Sequence, residues 1–470
     1  MPKKKYDNSS IKALKGADRV RKRPGVIFGS NSIEGTEHTF FEILSNSIDE
    51  AKDGFGNVIE IHYLPDMSIS VKDYGRGIPL DFNKQENKFN WELVYCELYA
   101  GGKYESGDDN YEFSLGLNGL GACATQYASE FFDVEVYRDG YKYELHFEKG
   151  ENIGGLKKTR AKDAQTGTYQ HWKPDLDVFT DINIPIDYFK ETLKRQAMIN
   201  AKVKFVFYDD INGEVTQFYY ENGIVDYIAE IGGNTNITEP YYLESEGTGK
   251  DREDKPEYKV KAQIVFCFNN EINKLEYYHN SSFLEHGGSP DLAVKNAFVY
   301  VFDKLSKDNN KYNKNESKIT FNDIQDSLIL ISNSFSTQTS YENQTKKSIT
   351  NKFIKDFLTD TLKREIEIWA SKNKKDAIKI IDQILLNKRS REKSEEQRLI
   401  LKKKGSVSNN AWDRVKKFVD CKSKDPNVRE LFIVEGDSAL TSVKLGRDAE
   451  FQAIMPIRGR LSKINLPLHS

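Results

Sequence analysis

The sequence has few cysteines, and they lie far apart. Only four occur among 470 residues: Cys96, Cys123, Cys267 and Cys421. Their spacing gives no CxxC pair and no zinc-binding pattern, so a zinc module is excluded. The thiols are expected to stay reduced, as they do in the cytoplasm.

The sequence also lacks a long apolar run. It begins MPKKKYDNSS, and no later stretch approaches the about eighteen apolar residues of a membrane span. We therefore expect a cytoplasmic protein with no membrane partner. Its net charge of -3 neither favours nor opposes nucleic-acid binding. A length of 470 residues is enough for about two to four domains.

The stretch from Phe40 to Ala51, FFEILSNSIDEA, is predicted to be an amphipathic helix. Glu42, Asn46 and Asp49 recur at spacings of four and three on one face, opposite an apolar face. Glu42 could take a proton from a water molecule, and Asn46 could offer an oxygen to Mg²⁺. The alternative is a solvated polar face without chemistry.

Two strands are predicted at 58–64 and 68–72, and the second runs into the turn Asp73–Pro79, DYGRGIP. A carboxylate at a strand end can accept a hydrogen bond from a flat polar group such as a purine amine, and nearby glycines let the backbone approach a ligand. The alternative is a tight turn in which Asp73 caps its own backbone.

A glycine-rich segment follows, with GGK at 101–103 and SLGLNGLG at 114–121 before an apolar run. Its backbone amides are predicted to open a helix and bind phosphate, with Lys103 adding charge. Residues 104–110 between the two are polar, as expected of a mobile lid.

The rest of the first half is predicted to be hairpins, with the basic cluster Arg19–Gly25 as a solvated loop. The predicted strands are 131–138, 141–147, 166–172, 203–208 and 215–220. This region is therefore predicted to consist of helices packed on one face of a largely antiparallel sheet.

The second half is predicted to hold a βαβ-type pattern, then a long helical tract from Asn351 to about Lys404. The predicted pattern consists of strands 258–268 and 274–280, helix 291–305, polar loop 306–317 and strand 326–332. The basic end of the tract, 388–404, could face DNA or be a solvated helix. After a linker at 406–410, a strand at 430–434 leads to EGDSA at 435–439, which fits an Mg²⁺ site or a turn.

In this order, the motifs resemble a known family. ExxxN at Glu42, DxGxG at Asp73, the glycines at 116–121 and TGT at Thr168 resemble the GHKL (Bergerat) ATPase fold. The segments that narrow the resemblance to the B-type subunits of bacterial type IIA topoisomerases are IKALKGADRVRKRPGVIFG at 11–29, AGGKY at 100–104, QTK at 344–346 and LFIVEGDSA at 431–439. That group includes DNA gyrase and topoisomerase IV, and the resemblance covers essentially the whole chain.

The resemblance implies an α+β protein with three regions. Residues 1–225 would be a GHKL α/β sandwich with ATPase activity. Residues 226–405 would be a ribosomal-protein-S5-like transducer domain ending in a long helix. Residues 406–470 would be the N-terminal part of a TOPRIM α/β domain.

It also implies roles for particular residues. Glu42 would be the general base, Gln344 and Lys346 would sense the γ-phosphate of ATP, and Asn46 would hold Mg²⁺ against the phosphates. Asp73 and Thr168 would read adenine, a Glu50–Arg76 ion pair would support the pocket, and Glu435 would act as acid/base and Mg²⁺ ligand in DNA cleavage. The implied ATP-binding residues are Tyr6, Asn46, Glu50, Asp73, Arg76, Gly77, Ile78, Pro79, Lys103, Tyr111, Gly116, Leu117, Asn118, Gly119, Leu120, Gly121, Thr168, Gln344 and Lys346.

The implied cofactors are ATP and Mg²⁺, and the implied partners are double-stranded DNA and a type IIA topoisomerase A subunit in an A2B2 complex. Binding of ATP would dimerise the ATPase domains, with Tyr6 reaching the nucleotide of the partner protomer. The enzyme would pass one DNA segment through another and so change supercoiling or linking.

Some positions depart from the family pattern, and they leave alternatives open. Ser45 stands where Asp is usual, Leu115 replaces a glycine, and Leu440 and Thr441 replace a Gly-Gly pair. No DxD motif follows before Ser470, so an incomplete TOPRIM domain is expected, from a fragment or a split chain. A truncated regulatory subunit and a GHKL chaperone are the alternative functions. The sequence does not separate gyrase from topoisomerase IV, or a chromosomal from a plasmid or viral origin.

Overall fold

The protein is described by a computed structural model that covers residues 11, 13–101, 119–342, 345–406 and 418–457. The chain divides into two compact units, Met1–Arg389 and Ser390–Ser470. Among the described residues, no helix combines the length and the apolar character that crossing a membrane requires.

A nine-stranded sheet organises the first part of the chain. Its strands are β1 Val58–Tyr63, β2 Ile69–Asp73, β5 Ser129–Arg138, β6 Tyr141–Glu148, β7 Glu151–Asn152, β8 Lys157–Arg160, β9 Gly167–Pro174, β10 Lys204–Asp209 and β11 Glu214–Phe218. A separate small hairpin joins β3 Phe82–Asn83 to β4 Lys88–Phe89. The order is β11-β10-β1-β2-β9-β5-β6-β7, with β8 beside β6. The β1–β10 pair is parallel and the other pairs are antiparallel, so the predicted largely antiparallel sheet is confirmed.

Helices cover one face of this sheet, and its strands β1 and β9 accordingly alternate fully buried and partly buried side chains. The helices are α1 Asp18–Arg21, α2 Pro24–Phe28, α3 Ile33–Lys52, α4 Asn90–Cys96, α5 Gly121–Tyr127 and α6 Ile186–Ile199. The helix predicted at 40–51 lies within α3, and its apolar face joins the core formed by Phe132 and Trp172. The solvated-face alternative is wrong, because Glu42 and Asp49 are buried with it.

The loop predicted for Arg19–Gly25 is also wrong. The segment contributes to α1 and α2, and the Arg21 guanidinium lies 2.6 Å from the Asp175 carboxylate. Arg21 also donates to the carbonyl of Tyr127. This charge is therefore satisfied by parts of the chain far away in sequence, which the local pattern of the basic cluster does not reveal.

A second, five-stranded sheet organises the region that follows. Its elements are α7 Ile224–Gly232, β12 Tyr241–Gly249, β13 Tyr258–Phe268, β14 Lys274–His279, β15 Ser282–Phe283, α8 Ser289–Asp308, α9 Phe321–Gln325 and β16 Leu328–Ser336. The order is β12-β13-β16-β14-β15, and β14 pairs parallel with β16 across the connection through α8. The predicted βαβ-type pattern is confirmed, although α8 extends three residues into the predicted loop at 306–317.

The predicted helical tract consists of two helices, α10 Lys352–Lys372 and α11 Lys374–Ser406, separated at Asn373. The basic end of the tract is not uniformly available to DNA. Lys388 is fully buried, and both Lys388 and Arg389 contact the carboxylate of Glu316. Lys388 therefore cannot serve as a phosphate contact.

The second unit contains a short β-α-β arrangement. Strand β17 Glu430–Glu435 leads directly into α12 Gly436–Gly446, and β18 Gln452–Ile457 pairs parallel with β17. The predicted strand is confirmed. The turn considered after Glu435 is wrong, because a helix begins at the next residue.

Candidate functional site

The carboxylate of Glu42 is the centre of the candidate site. Glu42 lies in the middle of α3 and is 7% exposed. His38, one helical turn earlier, places its Nε2 atom 3.1 Å from Glu42 Oε1, and Lys346 places its Nζ atom 3.9 Å from the same oxygen. A methyl group on Gly121 would lie 2.2 Å from Glu42 Oε2, so a larger residue there would displace the carboxylate or α5. The buried acid is thus held between two basic side chains and the start of α5.

The loop that carries Lys346 has a fixed base. Glu342 donates its backbone N–H to the carbonyl of Ser348, and Thr350 donates to the carbonyl of Ser340, as across the end of a hairpin. Lys346 itself has a φ of +57° and is 5% exposed, so its side chain is directed into the protein by an unusual backbone conformation. The sequence contains no local sign of this, because QTK consists of three common residues.

Neighbouring contacts dock the same loop against the α2–α3 region and the second sheet region. A methyl group on Gly29 would lie 2.2 Å from Thr345 Cγ2. Lys347 Nζ lies 2.5 Å from the Glu285 carboxylate, and the Lys347 carbonyl accepts from the His286 N–H. The position of Lys346 therefore depends on elements from both sheets.

Asp73, at the end of β2, forms the second centre. It is buried, and its carboxylate accepts from the Ser47 hydroxyl at 2.8 Å, the Gly75 N–H at 3.0 Å and the Thr168 N–H at 3.2 Å. Burial raises the pKa of Asp73, and these hydrogen bonds oppose the rise. A carboxylate has about four acceptor positions, so three donors leave capacity for one more, such as a purine amine. The Asp73 carboxylate thus caps its own turn through the Gly75 N–H and can still accept a hydrogen bond from a ligand.

Gly77 shows why glycine is needed in the turn after Asp73. Its φ is +76°, and a methyl group there would lie 2.7 Å from the carbonyl oxygen of Tyr137 on β5. The close approach that this glycine permits in the structure is therefore to a strand. Its carbonyl accepts from Arg138 Nη1 at 2.7 Å, which ties the turn to β5.

The implied Glu50–Arg76 ion pair forms beside this turn. Arg76 donates through Nη2 to Glu50 Oε1 at 2.8 Å and through Nε to Glu50 Oε2 at 3.0 Å. The guanidinium also stacks 4.0 Å from the centre of the Phe55 ring. A bidentate pair of this kind fixes the end of α3 against the Asp73 turn. Ile78 is partly buried against the core, and Pro79 is exposed.

A cavity of about 410 Å³ opens beside Asp73 and Thr168. Its other walls include Lys72, Tyr74, Tyr137 and the segment 164–169. The walls do not include Glu42 or Gly121. The cavity therefore adjoins the Asp73 end of the candidate site and not the Glu42 end.

The potential metal ligands in the described part of the chain are not clustered. No group of three or more His, Cys, Asp or Glu side chains there could hold a metal ion. Asn46 is half-buried, and its Nδ2 donates to the Glu42 carbonyl at 3.2 Å, which leaves its side-chain oxygen for another partner. Glu435 is exposed at the end of β17 in the second unit.

The structure brings Glu42, Lys346, Gly121 and Asn46 together around one part of α3, and Asp73, Thr168, Gly77, Glu50 and Arg76 around another. Gly119 has a φ of +56° and Leu120 is buried just before α5. The predicted residues that lie outside the described residues are Tyr6, Lys103, Tyr111, Gly116, Leu117, Asn118 and Gln344.

Two members of the site were not predicted. His38 stands four residues before Glu42, so the same helical spacing that selected Asn46 could have found it. Ser47, which donates to Asp73, faces a strand that lies 26 residues later in the sequence. No local pattern connects those two residues.

Comparison with known proteins shows which family this chain resembles. A family model described as DNA gyrase B matches residues 223–399. The DNA gyrase B protein of Mycoplasma pneumoniae is 32% identical over 468 residues, which cover 98% of this chain and 71% of that protein. The DNA gyrase B protein of Thermotoga maritima is 31% identical over 462 residues, with the same two coverages of 98% and 71%.

Solved structures agree on the fold. The 43K ATPase domain of Thermus thermophilus gyrase B, in complex with an aminocoumarin, has a TM-score of 0.62 at 23% identity, covering 82% of this chain and 98% of its own. The topoisomerase IV ATP-binding domain of Francisella tularensis, in complex with a small-molecule inhibitor, has a TM-score of 0.62 at 26% identity, covering 81% and 98%. The predicted α+β fold with a GHKL-type sandwich is confirmed.

Proposed function

Because this chain belongs to the DNA gyrase B family, we propose that it is the ATP-hydrolysing subunit of a type IIA DNA topoisomerase, with Glu42 as its general base. The observation that carries the proposal is the buried Glu42 carboxylate, contacted by His38 from its own helix and by Lys346 from the region of the second sheet. A buried acid with two basic neighbours suits proton abstraction beside a polyanionic substrate.

The Asp73 region suits the adenine end of ATP. The remaining acceptor capacity of the Asp73 carboxylate matches an exocyclic amine, and the Thr168 N–H holds that carboxylate in place. The Glu50–Arg76 pair keeps the Asp73 turn at a fixed distance from α3. Two parts of α3 would thus organise the site: the part around Glu42 for hydrolysis, and the part around Ser47 and Glu50 for recognition of adenine.

In the proposed reaction, a water oxygen forms a bond to the γ-phosphorus and the bond to the β,γ-bridging oxygen breaks. The water proton passes to the Glu42 carboxylate, which has His38 Nε2 as a neighbour at 3.1 Å. The Lys346 ammonium offsets negative charge on the terminal phosphate, so it senses whether that phosphate is present.

Asn46 is the proposed Mg²⁺ ligand. Mg²⁺ is usually bound by one or two protein oxygens together with substrate phosphates, so the lack of an acidic cluster in the described residues fits a metal that arrives with ATP. When bound, Mg²⁺ would neutralise phosphate charge. We also propose Glu435 as a metal ligand and acid/base for DNA cleavage, since it stands at a strand end before a helix.

The proposed domain organisation is an ATPase domain at 1–225, a transducer domain at 226–405 and part of a TOPRIM domain from 406 to 470. Separate sheets within the first two ranges, and the family match over residues 223–399, support this division. The proposed partners are double-stranded DNA and an A subunit in an A2B2 complex, with ATP-dependent pairing of two copies of this chain.

The central test is Glu42→Gln, with Glu34→Gln as a control on an exposed position of the same helix. We expect ATP hydrolysis to fall roughly 10²- to 10⁴-fold in Glu42→Gln while ATP binding persists, and no change in the control. The rate of hydrolysis is measured as release of phosphate, and the affinity for ATP is measured by calorimetry. Normal turnover in Glu42→Gln would remove this residue from its role.

A second assay separates the alternative functions. Double-stranded DNA should stimulate hydrolysis, and addition of an A subunit should give ATP-dependent supercoiling or decatenation. Stimulation by unfolded polypeptide instead would indicate a chaperone. Inhibition of an intact topoisomerase by added chain would indicate a regulatory role.

A further inference from the structure

His279 is a buried polar residue at the end of β14, outside the site described above. It is fully buried, and its ring contacts three hydroxyl groups. Nδ1 lies 2.8 Å from Ser334 Oγ, and Nε2 lies 3.0 Å from both Ser336 Oγ and Thr339 Oγ1. All three partners belong to the end of β16 and the segment immediately after it. His279 therefore joins β14 to the chain that leads toward Lys346.

Both ring nitrogens lie within a network of hydroxyl and carbonyl groups. The Ser334 hydroxyl is within hydrogen-bonding distance of the Tyr278 carbonyl as well as of Nδ1. On the other side of the ring, the Ser336 hydroxyl donates to the Gln338 carbonyl and lies 2.9 Å from Thr339 Oγ1. Hydroxyl groups can both donate and accept, so they satisfy both nitrogens of the ring. Burial and the charge of Lys52 lower the pKa of His279 to about 3, so the ring is neutral at working pH.

The turn that follows His279 reaches α3, the helix that carries Glu42. Asn280 and Ser281 have φ values of +44° and +60°, as expected of a tight turn between β14 and β15. Lys52, the last residue of α3, lies 3.5 Å through Nζ from Ser281 Oγ. From α6, Gln196 donates to the Ser281 carbonyl, and Ser281 donates to the Asn200 side chain. The turn is thus anchored to two helices of the first sheet region.

The same turn also holds the segment before the Lys346 loop. Asn280 Nδ2 donates to the Ser336 carbonyl at 3.0 Å, and the Ser336 N–H donates to Asn280 Oδ1 at 3.0 Å. Thr339 is followed by Ser340, whose carbonyl accepts from Thr350 at the base of the loop. Hydrogen bonds and short stretches of chain therefore connect α3, through the turn, to the base from which Lys346 extends.

We propose that His279 is a positioning residue for Lys346: its imidazole fixes residues 334–339 on the turn after β14, and so sets where the Lys346 ammonium meets the terminal phosphate. This inference rests on the proposed function, in which Lys346 distinguishes ATP from ADP. It adds a residue whose hydrogen-bonding partners above are Ser334, Ser336 and Thr339, and it predicts an effect on binding of ATP and not of ADP.

The test uses the full chain and two probes, a non-hydrolysable ATP analogue and ADP. His279→Phe replaces the imidazole with an aromatic ring that has no nitrogen, and Asn269→Leu is the matched control. Asn269 is equally buried and makes several hydrogen bonds, but they go to the α7 region and not to residues 334–346. Dissociation constants are measured by calorimetry after the melting temperature has confirmed folding.

We expect His279→Phe to weaken binding of the ATP analogue about tenfold, because a misplaced ammonium loses a charged hydrogen bond. Binding of ADP should stay unchanged, and His279→Gln should restore part of the loss. The Asn269→Leu control should change neither dissociation constant, even if its melting temperature is lower. In a Lys346→Ala background, His279→Phe should have no additional effect on binding of the analogue.

Thr339→Val gives a second route if His279→Phe does not fold, because Thr339 is only partly buried and valine preserves its shape. Thr238→Val is its control, since Thr238 accepts from the Phe268 N–H elsewhere in the same region. If Lys346→Ala leaves analogue binding unchanged, the proposed function is wrong at Lys346. If Lys346→Ala weakens the analogue but neither His279→Phe nor Thr339→Val does, the positioning role is wrong.

Discussion

At the scale of single side chains, Glu42 is a buried carboxylate whose neighbours come from three different parts of the chain. Its own helix supplies His38, a different sheet region supplies Lys346, and a glycine at the start of α5 leaves room for the carboxylate. Each contact restricts the conformations that the Glu42 side chain can adopt. The position of the Glu42 carboxylate therefore depends on all three neighbours.

Gly121→Ala tests that crowding directly. The new methyl group would lie 2.2 Å from Glu42 Oε2, so the carboxylate or α5 must move. We expect ATP hydrolysis to fall at least tenfold, since small displacements of a catalytic group have large effects on rate. The control is Gly25→Ala, where the nearest atom is 4.0 Å away. Equal activity in the two variants would show that the contact with Glu42 has no catalytic importance.

Glu37 gives a pH-dependent prediction on the same helix. Burial first, and then the charge of Glu34, raise the pKa of Glu37 from 4.5 to about 7. The folded state thus binds a proton more tightly than the unfolded state, so this residue lowers stability as pH rises from 4.5 to 7. Glu37→Gln should raise the free energy of unfolding at pH 8 by about 1 kcal/mol, after allowance for solvent screening. Thermal melts should show no gain at pH 4, and a gain that was equal at both pH values would contradict the assignment.

Site residues could be predicted from the sequence where the pattern that indicates them lies in neighbouring residues. Glu42 and Asn46 follow from helical spacing, and Asp73 follows from its place at a strand end. Lys346 has no such signal, because its direction depends on a φ of +57° and on contacts from distant segments. The resemblance to a family supplied it, and the residues alone did not.

At the scale of helices and strands, periodic patterns were reliable where burial is periodic. Strand β13 was predicted with its bounds, because alternation is strong along it. Helices α1 and α2 were missed, since their sequence is dominated by charge and the partner of Arg21 is 154 residues away. The break between α10 and α11 at Asn373 was also missed, because asparagine does not prevent a helix from continuing.

The anchoring of α11 by Glu316 gives an element-scale prediction. The Glu316 side chain is 8% exposed and contacts Arg389 at 2.9 Å and the fully buried Lys388 at 3.1 Å. Arg389 is the main reason that the pKa of Glu316 is lowered from 4.5 to about 2. This stability is present above pH 4.5 and is lost as pH falls toward 2. Glu316→Gln should lower the free energy of unfolding by about 3 kcal/mol at pH 7.

The matched control for that variant is Asp382→Asn. Asp382 pairs with Lys311 at 2.8 Å across the same loop and helix, but the Asp382 side chain is 55% exposed and that of Lys311 is 29% exposed. An exposed pair of this kind contributes less than about 1 kcal/mol. The free energies of unfolding of the two variants are measured by chemical denaturation at pH 7 and pH 3. A loss for Asp382→Asn as large as that for Glu316→Gln would mean that burial is not what makes the Glu316 contact strong.

For the molecule as a whole, the sequence could predict the order of its regions better than the way they meet. The two large sheets follow the predicted order along the chain. The contacts between them, such as Lys52 with Ser281 and Asn333 with the Ile199 carbonyl, join residues more than a hundred positions apart. Such contacts depend on tertiary packing, so spacing within the sequence carries no trace of them.

Nucleotide-dependent pairing is the prediction that belongs to the whole molecule. A nucleotide can shift a monomer–dimer equilibrium only through different affinities for the two states. In the proposed function, ATP differs from ADP by the phosphate that meets Lys346, a residue whose loop is braced by elements from both sheets. The non-hydrolysable ATP analogue should therefore double the mass seen by sedimentation, and ADP should not. Lys346→Ala should need more analogue for the same dimer fraction, whereas a mass unaffected by either nucleotide would contradict an ATP-operated gate.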